Sequence, residues 1–316
     1  MIISASYKTD IPTFYGKWFL NRLNAGYCKM INPYGRQIYE VSLKREDVDG
    51  FVFWTKNIGP FMNVLEIVRM LGYPFMVQHT IHNYPKELER SVIDFTKSVN
   101  FIKNLAEQYG PAVAVWRYDP IIFTSITPFD FHLKNFERLA SELEGSTDEV
   151  VISFAQIYRK SKNNLEKAAK AKGFTWEDPD DNTKLQLASD LAEIARHHEM
   201  QLTMCSQSKY SQAKGVKEAR CVDALRLSHI GGFKIRAKLK GNREDCGCYE
   251  SKDIGDYDTC PHGCVYCYAV HNWELALRRY REHDPNSEFL HAPKGKMPKE
   301  INETDAKERT LQSRLQ

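Results

Sequence analysis

The sequence predicts an α/β protein, a TIM-like (β/α) barrel, partial or complete, with a cysteine-rich cluster-binding segment near the C-terminus. Three observations predict it. Short apolar or β-branched runs alternate with longer amphipathic stretches, the pattern of parallel strands joined by helices. Polar and aromatic residues collect where those runs end, which is where parallel β/α folds bind their ligands. Seven of the eight cysteines fall after residue 200, so the end of the chain carries a chemistry of its own.

The elements follow in order. Runs at 2–7, 50–55, 75–81, 112–118, 150–157 and 201–205 are short and largely apolar, as expected of strands buried on both faces. Between them, 61–71, 86–109, 129–143 and 184–198 repeat apolar residues at three- and four-residue steps, the mark of helices with one buried stripe. After about residue 230 the alternation fades into a charged segment bearing cysteines, and beyond 283 the chain turns polar with Pro and Lys. The expected division is a barrel over 1–230, a cysteine-rich segment over 231–283 that completes the barrel mouth, and a flexible polar tail over 284–316. With 316 residues, 42% of them hydrophobic, one large core is within reach.

Charge narrows the partners. Lys and Arg total 44 against 41 Asp and Glu, a formal charge of +3, too small for a whole-surface nucleic-acid or membrane binder. Met1-Ile2-Ile3-Ser4 lacks a basic region followed by a long apolar run, and no segment reaches the roughly 18 apolar residues of a membrane span. The expectation is a soluble cytoplasmic protein without a membrane partner. In a reducing cytosol, closely spaced cysteines are more often metal or redox ligands than disulfides.

The strand-end clusters are Ser4, Ser6, Tyr7, Thr9 and Asp10; Trp54, Thr55, Lys56 and Asn57; Gln78, Thr80 and Asn83; Arg117, Tyr118 and Asp119; and Ser153 with Gln156. Thr9, Asp10 and Asn57 serve equally well as helix caps. Lys56, Arg117 and Asp119 are the candidate catalytic residues, because charged groups at the end of an apolar strand require partners. Gln78, Thr80 and Ser153 are the candidates for holding a cofactor or substrate.

The sharpest motif is Cys260-Pro261-His262-Gly263-Cys264-Val265-Tyr266-Cys267. Three thiolates on one compact loop suit an iron–sulfur cluster and leave one iron without a protein ligand. Spacing alone is equally compatible with zinc, for which His262 would complete a Cys3His site.

The Cys-x-x-x-Cys-x-x-Cys spacing, with aromatic Tyr266 before the last cysteine, resembles the signature loop of the radical S-adenosylmethionine (SAM) superfamily. The resemblance implies a [4Fe-4S] cluster on Cys260, Cys264 and Cys267 whose fourth iron chelates SAM, reductive cleavage to a 5′-deoxyadenosyl radical, and an electron donor such as flavodoxin or ferredoxin. It also implies a cofactor-facing role for Tyr266. The whole chain to about Ala269 is similar to the bacterial family named domain of unknown function 1848 (DUF1848), through Ser4-Ala5-Ser6-Tyr7-Lys8-Thr9-Asp10-Ile11-Pro12, Phe53-Trp54-Thr55-Lys56-Asn57, Val115-Trp116-Arg117-Tyr118-Asp119-Pro120 and Cys246-Gly247-Cys248. Superfamily members place the cysteine loop after the first barrel strand. Here it follows most or all of them, so the resemblance implies a circularly permuted radical SAM barrel, with 270–282 as the helix packed after the loop. A barrel with a separate C-terminal metal module is the other arrangement.

Cys205, Cys221, Cys246 and Cys248 remain. Four thiolates close a coordination shell, so they are expected to form a second metal site, an auxiliary [4Fe-4S] cluster ahead of structural zinc. Cys28 reads as a small buried hydrophobe. Lys234, Arg236, Lys238 and Lys240 alternate along a run that reads first as a solvated strand face, and second as a charge partner for clusters or a grip on phosphate. The Trp-Thr-Lys region is weakly similar to spore photoproduct lyase, which admits nucleic acid as a substrate. The expected function is a radical SAM enzyme abstracting hydrogen from an unidentified substrate. The alternative is a non-catalytic zinc- or iron–sulfur-stabilised binding protein, for nucleic acid.

Overall fold

Residues whose side chains alternate between two apolar environments dictate the architecture. In the computed structural model, which describes residues 1–32, 35–241 and 245–292, the chain opens with β1 (Ile2–Ala5), α1 (Ile11–Phe14), α2 (Gly16–Ala25) and an antiparallel hairpin of β2 (Tyr27–Ile31) and β3 (Ile38–Ser42). Then come β4 (Gly50–Thr55), α3 (Met62–Met70), β5 (Phe75–Thr80), α4 (Phe95–Tyr109), β6 (Ala114–Ile121), β7 (Phe123–Thr124), α5 (Phe129–Leu143) and β8 (Glu149–Phe154). The remainder is α6 (Arg159–Lys172), β9 (Trp176–Glu177), α7 (Asp181–His197), β10 (Gln201–Met204), β11 (Lys217–Glu218), α8 (Ala224–Gly231), β12 (Ser251–Asp253) and α9 (Trp273–Arg281).

Eight strands form one sheet in the order β11-β10-β8-β6-β5-β4-β1-β12, every pair parallel. The sheet is flanked by helices and is open: its end strands β11 and β12 do not pair with each other. β12 comes from the cysteine-rich segment, so that segment returns to the main sheet beside β1.

Successive side chains on a strand point to opposite faces. Ile3, Phe51, Phe53, Phe75, Val77, Ala114, Trp116, Val150 and Ile152 bury into the core under the helices. Their neighbours Ile2, Val52, Met76, Val115 and Val151 join a second core with Val222, Leu227 of α8 and Ile235. With both faces covered, the strands read as continuous apolar runs.

Three expectations need correcting. The stretch 86–109 is helical only from Phe95, where Asp94 caps the helix by accepting from the Thr96 amide at 2.9 Å; 86–94 is a loop because its backbone is engaged by the cysteine loop. The tail does not begin at 284: Trp18 Nε1 donates to the Ser287 carbonyl at 3.0 Å, the Lys29 amide to the Glu288 carbonyl at 2.9 Å, and Leu290 is buried. Residues 293–316 of that expected tail lie outside the described residues. α6 has no counterpart among the expected helices, since Leu165 is its one fully buried large apolar residue and no apolar stripe announces it. Cys28, on β2, is wholly buried in the core, as a small hydrophobe should be. Among the described residues, no helix is long and apolar enough to cross a membrane.

One core residue makes stability depend on pH. Burial depresses the imidazole of His79 on β5 from 6.5 to about 4, so its neutral form contributes fully above pH 6.5 and that contribution is lost as pH falls towards 4. At pH 4.5 the loss amounts to roughly 2–3 kcal/mol. Urea unfolding at pH 7 and 4.5 should show a shallower pH slope for His79→Leu than for the native chain.

Candidate functional site

Two residues beyond the apolar inner layer, the same faces of the strands turn polar: Ser4, Trp54, Gln78, Arg117 and Ser153 follow Ile2, Val52, Met76, Val115 and Val151. The period of two thus places a polar layer at the carboxyl ends of the strands. There it borders a cavity of about 720 Å³. All seven late cysteines line this cavity, although they come from four separate stretches of chain.

The loop with Cys260, Cys264 and Cys267 is fixed against 86–94. The Val265 amide donates to the Leu88 carbonyl at 3.0 Å, the Ser91 amide to the His262 carbonyl at 2.9 Å, and Trp273 Nε1 of α9 to the Pro261 carbonyl at 2.9 Å. Gly263 has φ of 72°, and a Cβ there would lie 3.0 Å from Trp273 Nε1 and 3.1 Å from Arg90 Cβ, so the loop needs glycine at this turn. Asp10 both caps α1 and holds the loop, accepting from the Thr13 amide at 2.9 Å, the Lys56 amide at 2.8 Å and His262 Nε2 at 2.7 Å. The cap and the site reading of Asp10 therefore coexist. His262 packs edge-on to Phe14 with ring centroids 4.7 Å apart.

Burial raises all three thiols above the ordinary cysteine range, and the neighbouring sulfurs add to the rise for Cys260 and Cys264. Main-chain donors oppose it: His262 and Asp10 at Cys260, Ala269 and Val270 at Cys267. Lys56 opposes it at Cys264. Lys56 Nζ lies 2.7 Å from Glu89 Oε1, 3.2 Å from His82 Nδ1 and 3.3 Å from the Tyr266 hydroxyl. The Tyr266 hydroxyl also donates to Glu89. Despite the cost of burial, the Glu89 charge outweighs it and raises the Lys56 pKa, while Lys56 and His82 hold the Glu89 carboxyl far below its usual range.

The other four cysteines stand along a second wall. Cys221 Sγ is hydrogen-bonded to Cys205 Sγ at 3.4 Å, and Cys248 Sγ accepts from the Val222 amide at 3.3 Å. Arg117 Nη1 donates to Cys221 Sγ and to Gln78 Oε1, both at 3.0 Å, and Nη2 to Asp119 Oδ2 at 2.6 Å. Ser153 Oγ reaches the same Asp119 oxygen at 3.0 Å. The Arg117 guanidinium lies over Trp54, 5.0 Å from the ring centroid. Among the described residues, no group of three or more His, Cys, Asp or Glu could hold a metal ion as the side chains stand.

Of the sequence candidates, Lys56, Thr80, Arg117, Asp119, Ser153 and Tyr266 all line the cavity. Gln78 is set behind Arg117, with Nε2 donating to the Cys221 carbonyl at 3.0 Å. Tyr118 turns to the helix side, hydrogen-bonded to Asn135 and His132. The basic side chains at 234, 236, 238 and 240 are exposed, and Lys240 pairs with Glu250 at 2.7 Å, as a solvated face would have them. Sequence reasoning missed Glu89, His82 and Asp253. Asp253 accepts from Ser4 Oγ at 2.7 Å, Ser6 Oγ at 2.9 Å and the Tyr7 amide at 3.0 Å, tying β12 to the end of β1. Glu89 falls in a stretch expected to be helical, with Lys86 three residues before it, and nothing in the local pattern set it apart.

No curated protein matches the chain. The pattern of the family described as Domain of unknown function (DUF1848) matches residues 2–269, a span running from the first strand through both cysteine groups. The chain therefore belongs to the DUF1848 family.

Proposed function

We propose that the chain is a radical SAM enzyme in which Cys260, Cys264 and Cys267 hold one [4Fe-4S] cluster beside a cavity that takes SAM and substrate. The observation that carries this reading is the position of the loop. Although it follows nearly all the strands in sequence, it shares a cavity wall with residues just after β1, β4 and β8 and with residues in the carboxyl-terminal parts of β5 and β6. That is the placement a permuted barrel requires. The donor set fits as well: three half-buried thiols on one loop, supplied with main-chain N–H donors of the kind that tune cluster sulfurs.

Bound there, the cluster would supply one electron, taken from a flavodoxin or ferredoxin, for cleavage of the C5′–S bond of SAM to methionine and a 5′-deoxyadenosyl radical, which would take a hydrogen atom from the substrate and leave as 5′-deoxyadenosine. The chain's own residues have separable tasks. Lys56, kept protonated by Glu89, places positive charge against Cys264 and offsets the charge of ligating thiolates. Asp10, through His262 and the Lys56 amide, sets the loop's orientation. Asp119, whose carboxyl is held low by Arg117 and Ser153, presents an ionised acceptor for hydroxyl or amino groups. Tyr7 and Trp54, edge-to-face at 6.4 Å, offer aromatic surface on the same wall. A cavity of about 720 Å³ is within the usual few hundred to 1,000 Å³ or so of small-molecule sites.

The test is anaerobic. Iron- and sulfide-reconstituted protein given SAM and dithionite should release 5′-deoxyadenosine, measured by liquid chromatography. A fully iron-loaded sample that made none would remove the proposal.

A further inference from the structure

The open sheet has two edges, and the second cysteine group spans them. Cys205 directly follows β10, and its amide donates to the Ile152 carbonyl at 2.9 Å. Cys221 follows β11, the strand at one end of the sheet. Cys246 and Cys248 precede β12, the strand at the other end. Where a closed barrel would have a ladder between its first and last strands, this chain has a short join: the Tyr249 amide donates to the Val222 carbonyl at 3.0 Å, and the Val222 amide to Cys248 Sγ at 3.3 Å.

We propose that Cys205, Cys221, Cys246 and Cys248 bind a single zinc ion that clasps the open seam of the sheet. The spacing of the sulfurs selects one ion over a cluster. Four thiolates around one zinc at about 2.3 Å stand about 3.8 Å from one another, and the Cys205–Cys221 separation is 3.4 Å. In a four-iron cluster each cysteine ligates its own iron at a separate corner, so the sulfurs cannot be in mutual contact. A third sulfur stands close by, since Cys248 Sγ accepts from the amide of Val222, the residue after Cys221, at 3.3 Å.

Binding is balanced by proton release. One Zn²⁺ displaces the protons of four thiols, whose side chains turn to surround it, leaving a site of net charge −2. Arg117 stands ready as the counter-charge, with Nη1 3.0 Å from Cys221 Sγ. The same guanidinium holds Asp119 on the cavity wall, so the clasp also fixes one side of the cavity. A closed tetrathiolate shell has no open position, which makes the site structural. The assignment is independent of the reading given for the Cys260 loop.

The test uses the full chain with Cys260, Cys264 and Cys267 all replaced by alanine, purified anaerobically without chelator, with zinc and iron counted by mass spectrometry. One zinc per chain and no iron is expected, with zinc-edge X-ray absorption showing four sulfurs at about 2.3 Å. In the native chain a mercurial reagent should release that zinc, read with a zinc-sensitive dye, so the result does not depend on the triple variant folding. Iron in place of zinc, zinc held by nitrogen or oxygen, or no metal in either protein would overturn the proposal. Because 5′-deoxyadenosine release is read separately, failure of the clasp and failure of the radical SAM reading are distinguishable.

Discussion

Alanine at Cys260, Cys264 or Cys267 should reduce 5′-deoxyadenosine formation to that of SAM and dithionite without protein. Each thiol is on a loop whose backbone is fixed by Leu88, Ser91 and Trp273, so no neighbouring side chain can move in as a substitute ligand. The four cysteines of the other wall are committed to one another and to Arg117, and they do not belong to that loop. The reading is product formation per iron in reconstituted protein, with circular dichroism to confirm the fold. Retention of a substantial fraction of the product by any of the three variants would show that the cysteine is not a ligand.

The second large effect is on stability. Glu89→Ala leaves the Lys56 ammonium buried without the carboxylate 2.7 Å away, and removing one member of a buried ion pair costs about 3–5 kcal/mol. Both members are mostly buried, with side-chain exposures of 14% and 4%, so screening by solvent subtracts little. The double variant Lys56→Met with Glu89→Leu removes both charges together and should recover most of the loss, because the desolvation penalty of the ions disappears with them. Urea midpoints of the native chain, the single variant and the double variant measure this directly. A single variant within about 0.5 kcal/mol of the native chain, the range of ordinary surface substitutions, would mean that Lys56 finds another partner or exits to solvent.

Much of the architecture was legible because it rests on local periods. The apolar runs that became β1, β4, β5, β6, β8 and β10 carry their two-faced burial in adjacent residues, and α3, α5 and α7 carry their stripes within a few turns. Where the local pattern was weak, the reading failed. α6 is Lys- and Asn-rich with one fully buried large apolar residue; the hairpin of β2 and β3, by contrast, bears buried apolar residues on both of its five-residue strands and was missed despite that signal. At 86–94 helical periodicity extended into backbone that instead bonds the cysteine loop. The residues after 283 looked too polar to pack, yet Leu290 and Phe289 bury there, and Ser287 and Glu288 supply carbonyls to α2 and β2.

The site divides along the same line. The inventory of chemistry is written in the residues alone: seven cysteines late in the chain, three of them on one loop, and charged residues at the ends of apolar strands. Who meets whom is set by the packing of the whole fold. Lys56 finds Glu89 across 33 residues, Tyr266 finds Glu89 across 177, and Asp10 finds His262 across 252. Arg117 reaches Cys221 across 104 residues. The same holds for the seam, where β11 and β12 end the sheet unpaired and the cysteines stand between them. The physical reason is that a residue pattern encodes which face of an element is buried, through periods of two and 3.6. It does not encode the register and packing that bring distant strand ends to one cavity. Those follow from closing the core as a whole, and the partners of buried charges are chosen only when that closure is complete.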